Sequence, residues 1–280
     1  MKTKIDTKVI YYDDELNDDF AGNGIKCCKV DESYKYLHTG AAWRFFSFII
    51  YYLVAFPLVW FFERVIMRVR FVNGSAVRRL KGTPCFLYGN HTGWIDAFTP
   101  NLISLPRRNR IVVSADTVSI KGLRTAVEML GAIPVPTSHR AFPCFKQAIS
   151  HHRKRDNITI YPEAHIWPYF TGVRNFTDAS FTYPAKEGCP VFAFFTAYSE
   201  PHGFLSFLRR ANMTVYVSDP IYAKGGLSER EARQDLRDKV HAFMLDASKH
   251  STYKVFDYKK SEEDSEVSDS STKHQTESSA

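Results

Sequence analysis

Cysteine is scarce in this chain of 280 residues: Cys27, Cys28, Cys85, Cys144 and Cys189 are scattered, odd in number and without zinc-like spacing. A disulfide framework is thereby disfavoured and a reducing compartment preferred. The chain has no G-x-S-x-G elbow, so it lacks the nucleophilic serine turn of α/β hydrolases. Nor does it show an internal repeat, which sets aside solenoids and propellers. No cleavable signal peptide is expected at the start. Residues 1–36 are mixed and polar, with the acidic cluster Asp13, Asp14, Glu15, Asp18 and Asp19.

The chain is 44% hydrophobic and 24% charged, a globular balance, long enough to bury a substantial core. A formal charge of +7 favours an anionic partner: nucleic acid, an anionic membrane surface or a phosphorylated substrate. Residues 42–62 read AWRFFSFIIYYLVAFPLVWFF, and the 18 positions between Arg44 and Glu63 carry no charge. That is the lower limit for a membrane span. Trp43, Tyr51, Tyr52 and Trp60 suit the interface, and Pro57 predicts a kink. A span, a bent helix in one leaflet and a buried core helix all remain open. Arg64, Arg68, Arg70, Arg78, Arg79 and Lys81 follow, placing the next domain on the cytoplasmic face or against anionic headgroups.

From about 69 to 222, short apolar runs alternate with helix-like stretches. The runs are 69–72, 84–89, 110–115, 132–135, 157–162, 190–198 and 213–218. Nearly continuous apolar runs suit strands buried on both faces. The alternation predicts an α/β domain whose central sheet is mostly parallel and flanked by helices. Helices are expected over 119–130 and 141–155, and over 228–249, with Ser228 as N-cap and Glu231 three residues later. The reading divides the chain into a polar segment 1–40, a membrane-associated helix 41–68, a catalytic domain 69–257 and a disordered tail 258–280.

A histidine followed five residues later by aspartate occurs three times: His91 with Asp96, His151 with Asp156, and His241 with Asp246. Spacing alone cannot choose between them. The last pair sits inside an expected helix, where five residues turn the side chains about 140° apart. The second lies in a polar, solvated helix end. His91 directly follows the apolar run 85–88 and the loop signal Gly89-Asn90, at the carboxyl end of an expected parallel strand, where such sheets place reactive groups. A turn through Thr92 and Gly93 can fold Asp96 back onto the imidazole. A neutral histidine there can take a proton from a hydroxyl, and the carboxylate fixes its tautomer. Tyr161-Pro162-Glu163-Ala164-His165 ends another apolar run, and Gly131 to Val135 leads to His139 and Arg140, an arginine able to pair with a phosphate.

Together these blocks resemble the glycerolipid acyltransferase family, typified by 1-acylglycerol-3-phosphate acyltransferases. Asn90, His91 and Asp96 match the N-H-x4-D block, Tyr161-Pro162-Glu163 part of the F-P-E-G-T-R block, and Gly131 to Arg140 the glycine and apolar run leading to arginine. Cys189-Pro190-Val191-Phe192 resembles the fourth, proline-centred strand. The resemblance covers about residues 41–222. It implies transfer of a fatty acyl group from acyl-CoA or acyl carrier protein to a lysophospholipid hydroxyl, with no metal or organic cofactor and no nucleic acid. His91 is then the general base and Asp96 its orienter, and Glu163 helps hold the acceptor. The chain departs from the pattern twice. Ala164-His165-Ile166 stands for Gly-Thr-Arg, and Thr137 for the arginine after the second strand. His165, Arg140 and Arg174 are the substitutes expected for phosphate binding, Arg174 as a displaced clamp. Two other classes are weighed. One is a metal-dependent phosphoester hydrolase using His91, Asp96, Asp116, Glu163 and His165. The other is a non-catalytic lipid-binding protein that keeps the fold.

Overall fold

The computed structural model describes residues 7–21, 27–120 and 122–261. Its centre is a seven-stranded sheet in the order β2-β8-β7-β3-β6-β4-β5. The strands are β2 (Arg70–Val72), β3 (Phe86–Gly89), β4 (Asn109–Val113), β5 (Ala132–Pro134), β6 (Asn157–Ile160), β7 (Val191–Ser199) and β8 (Asn212–Val217). All pairings are parallel except β7 with β8. Each of the seven apolar runs coincides with one strand, with at most one residue of the strand falling outside the run. β3 and β6 are buried at every position, as a run without polar alternation requires.

Helices cover both faces. Phe86 and Tyr88 point to one, with Phe145 and Ile149 of the helix Phe142–His152 and Leu236, Val240 and Met244 of the helix Glu229–Ser248. Leu87, one residue out of phase, points to the other, with Ile95 and Ile103. Ser228 caps its helix as the sequence predicts, accepting from the Glu231 N–H while Glu231 accepts from the Ser228 N–H.

The apolar segment is one helix, α1, Ala41–Ile66, 26 residues long and mostly exposed. It runs through Pro57 with wider π turns over Ile49–Ala55 and Phe62–Ile66. Its inner side is tied down along its length. The Ser47 hydroxyl donates to the Met129 carbonyl at 2.7 Å, Tyr51 to Asn101 at 2.8 Å, and Phe62 packs on Trp94 at 5.3 Å. Phe45, Phe46, Leu53, Leu58 and Phe61 point outward, each more than half exposed.

The ends of the chain depart from the sequence reading. Within the expected polar segment, Lys8–Tyr12 forms β1, and it pairs in parallel with β9 (Phe256–Lys260), which crosses the expected boundary of the tail. The cause is aromatic: Tyr12, Phe20 and Tyr258 surround Trp167 at ring distances of 4.7, 5.3 and 5.0 Å. The expected tail beyond residue 261 lies outside the described residues.

Candidate active site

His91 stands two residues past β3, at the carboxyl edge of the sheet, and the end of β3 is fixed from both sides. A Cβ on Gly89 would lie 2.2 Å from the Phe194 ring, so only glycine lets β7 approach this closely. Asn90 bridges to β7, accepting from the Thr196 N–H at 2.8 Å and donating to the Thr196 carbonyl at 3.3 Å. The Thr92 hydroxyl meets the Tyr198 hydroxyl at 2.6 Å.

The turn then returns Asp96 to the imidazole. The carboxylate is 1% exposed, and one of its oxygens accepts from the Thr92 N–H at 2.6 Å, the Gly93 N–H at 2.9 Å and His91 Nδ1 at 3.0 Å. A carboxylate at that position assigns the ring hydrogen to Nδ1 and leaves Nε2 as the proton acceptor. The His91 side chain is 18% exposed, so its outer edge is open while its inner face is covered. Tyr161 stacks on that face, centroids 4.4 Å apart and planes 18° from parallel, and its hydroxyl donates to the Asp96 carbonyl.

Glu163, at the end of β6, is buried behind the pair. It accepts from the His91 N–H at 3.1 Å and from the Arg174 N–H at 3.1 Å, and it meets the Arg174 guanidinium at 3.3 Å. Burial pushes its carboxyl above the usual range, and burial holds the Arg174 guanidinium below its own. A desolvated pair of this kind contributes geometry more than stability. It fixes the loop to the His91 backbone.

The structure corrects the reading of Arg174 as a phosphate clamp. Its side chain is 1% exposed, bonded to Glu163 and the His165 carbonyl, and packed over the Trp167 ring at 5.0 Å. It is the internal counter-ion of Glu163. Arg140 is exposed in the turn His139–Ala141 beyond β5, the edge strand, which stands three strands from β3. It is not brought to the pair. The His165 imidazole is half-exposed, 3.8 Å from Asp19. Thr137 is occupied with the N-terminal segment, its hydroxyl accepting from the Val30 N–H at 3.0 Å.

Of the three histidine–aspartate spacings, this one alone is seen in contact among the described residues. Asp156 pairs with Arg110 at 2.7 Å, with His152 rather than His151 near it at 3.9 Å. Asp246 pairs with Lys249, and His241 meets the Phe176 ring. Asp116 caps the turn Thr117–Ser119, and no three His, Cys, Asp or Glu groups converge among the described residues.

Two features escaped sequence reasoning. Glu63 is fully buried on α1 and accepts from the Thr99 hydroxyl at 3.2 Å, which ties the helix to the segment just after Asp96. The available signal was a lone carboxylate ending an apolar run. The other is an apolar cavity of about 270 Å³ between α1 and the domain, lined by Tyr51, Ala55, Phe56 and Val59 on one side and Ala97 and Phe98 on the other. Its wall begins one residue past Asp96.

Comparison with known proteins agrees with this geometry. Residues 68–195 match the acyltransferase family model. The fold is similar to the crystal structure of the 1-acyl-sn-glycerophosphate acyltransferase PlsC from Thermotoga maritima. The TM-score is 0.51 at 13% identity, over 74% of this chain and 92% of that one. A sequence comparison with curated proteins found no match. The N-H-x4-D pair thus lies inside the stretch that matches the acyltransferase model, on a sheet similar in fold to that of PlsC.

Proposed function

We propose that this acyltransferase moves a fatty acyl group from a thioester, acyl-CoA or acyl carrier protein, to the hydroxyl of a lysophospholipid. The acceptor read first is 1-acylglycerol-3-phosphate, which would give phosphatidic acid. The observation that carries this is a partly exposed histidine oriented by a buried carboxylate, with an apolar cavity whose wall begins one residue past that carboxylate and is roofed by an apolar helix.

The steps follow from the pair. His91 Nε2 takes the proton of the acceptor hydroxyl as its oxygen attacks the thioester carbonyl. Asp96 stabilises the imidazolium that forms. Backbone N–H groups hold the tetrahedral oxyanion. Collapse breaks the carbon–sulfur bond, and the imidazolium returns its proton to the thiolate. The apolar cavity supports a role in holding an acyl chain.

The outward aromatic and aliphatic face of α1 supports seating in the membrane on the cytoplasmic side. Side chains from Ser47 to Glu63 bind the domain over about 24 Å of helix. A transverse span would carry the domain into the hydrocarbon, so the helix is read as lying in one leaflet. Thr137, His165 and the buried Arg174 also favour a second reading, in which the acceptor is a lysolipid with another headgroup.

An acyl-transfer assay on purified protein tests both, offering lysophosphatidic acid beside zwitterionic and uncharged lysolipids. His91→Ala and Asp96→Asn should each lower turnover by about 10³-fold. Undiminished product from His91→Ala would overturn the catalytic assignment, and the preferred lysolipid decides the acceptor.

A further inference from the structure

A cavity of about 660 Å³ lies away from His91. It lies at the other end of the sheet, where β4, β5 and β6 begin, against the first two turns of α1. Its lining carries five cations, Lys35, Arg44, Arg108, Arg110 and Arg155, against two carboxylates, Glu128 and Asp156. Both carboxylates are engaged. Asp156 pairs with Arg110, and Glu128 pairs with Arg124 at 3.0 Å and accepts from the Tyr34 hydroxyl at 2.6 Å. No ion pair is found for Lys35, Arg44 or Arg155 among the described residues.

The local field is correspondingly positive. Burial, and then the charges of Arg110, His151 and Arg108, push the His152 imidazole down to about 2. Burial and the charge of Arg110 bring Arg108 down to about 10. An anion in the cleft would relieve this crowding. The wall also contains Trp43, Phe45 and Phe48, and the last two are more than half exposed on the lipid-facing side of α1. A charged floor thus adjoins an apolar outer rim, the profile of a phospholipid headgroup above its chains.

We propose that this cleft binds the phosphate of a membrane phospholipid headgroup, the lipid chains lying along Phe45 and Phe48, and so tethers the start of α1 to an anionic bilayer. The proposal rests on the one-leaflet reading of α1. It adds a lipid site separate from the catalytic one.

Flotation of the full chain on phosphatidylcholine vesicles, with and without about one-fifth phosphatidylglycerol, tests it. Phosphatidylglycerol is neither the proposed acceptor nor the proposed product. The wild type should partition more strongly onto the anionic vesicles. Arg44→Ala with Arg155→Ala should lose about tenfold of that gain. Ala41→Trp keeps every charge and fills the cleft, so it should lose the gain as well. If Ala41→Trp retains the full gain, the attraction is diffuse and the cleft is not a site. Competition by inorganic phosphate as effective as that by the lipid would overturn the lipid assignment. Wild type that floats on neither vesicle would sink the one-leaflet reading; floating wild type with unchanged variants would sink the cleft alone. Retained acyl transfer in detergent checks that the variants are folded.

Discussion

At the residue scale, the proposed catalytic arrangement depends on one carboxylate oxygen holding three N–H donors while the imidazole rests on Tyr161. The backbone sets this up, and in one place at a cost. Ala164 sits at φ 64°, in the left-handed region, where the family pattern has glycine. An L-residue there loses about 1 kcal/mol against glycine. Ala164→Gly is therefore expected to raise stability by about that amount, or roughly 2–4 °C in melting temperature for a domain of this size. Calorimetry of the two proteins measures it, and a lower melting temperature would count against the strain. The same turn explains why His165 faces outward and Arg174 inward. The chain reverses between them, so that the Arg174 N–H reaches the Glu163 carboxylate and its guanidinium the His165 carbonyl.

At the element scale, α1 is the unusual feature. Its apolar face is turned away from the domain, while Ser47, Tyr51 and Glu63 make polar contacts inward. A one-leaflet helix leaves both of its ends on the same side of the membrane. Single cysteines at Gly40 and Met67, in a background with the native cysteines replaced, should both react with an impermeant maleimide added to one side of sealed vesicles. Reaction at only one end would establish a span. Apolarity and length could not decide this, because a span and a leaflet helix have the same composition; the polar contacts to a folded domain are what support the proposed leaflet helix.

At the scale of the whole molecule, segments 8–20 and 256–260 close over the site's supporting loop. β1 pairs with β9, the Phe20 N–H donates to the Ile166 carbonyl at 3.3 Å, and the Trp167 indole donates to the Asp18 carbonyl at 2.8 Å. Glu15 accepts from the Asn175 N–H at 3.0 Å. Removing residues 1–21 would expose Trp167 and loosen the loop that carries Glu163 and Arg174. Such a truncation should red-shift tryptophan emission and lower both the melting temperature and turnover. Unchanged turnover would make the arm a mere appendage.

Much of this was legible in the sequence. The seven strands follow from apolar runs bounded by turn residues, because burial on both faces leaves no polar alternation. His91 and Asp96 were singled out by their place after such a run, and the parallel sheet puts that place at its carboxyl edge. The partners across strands were not legible. The Arg174–Glu163 pair, the stacking of Tyr161, the docking of Thr137 on Val30 and the β1–β9 pairing join residues separated along the sequence, and no local pattern encodes them. The sequence by itself determined the sheet, the apolar helix and the candidate histidine–aspartate pair, since each rests on local periodicity or on a turn. Tertiary structure alone decided which of three identical spacings became a contact, which arginine was buried as a counter-ion, and where the cationic cleft opened. Those outcomes depend on which surfaces meet once the chain has packed.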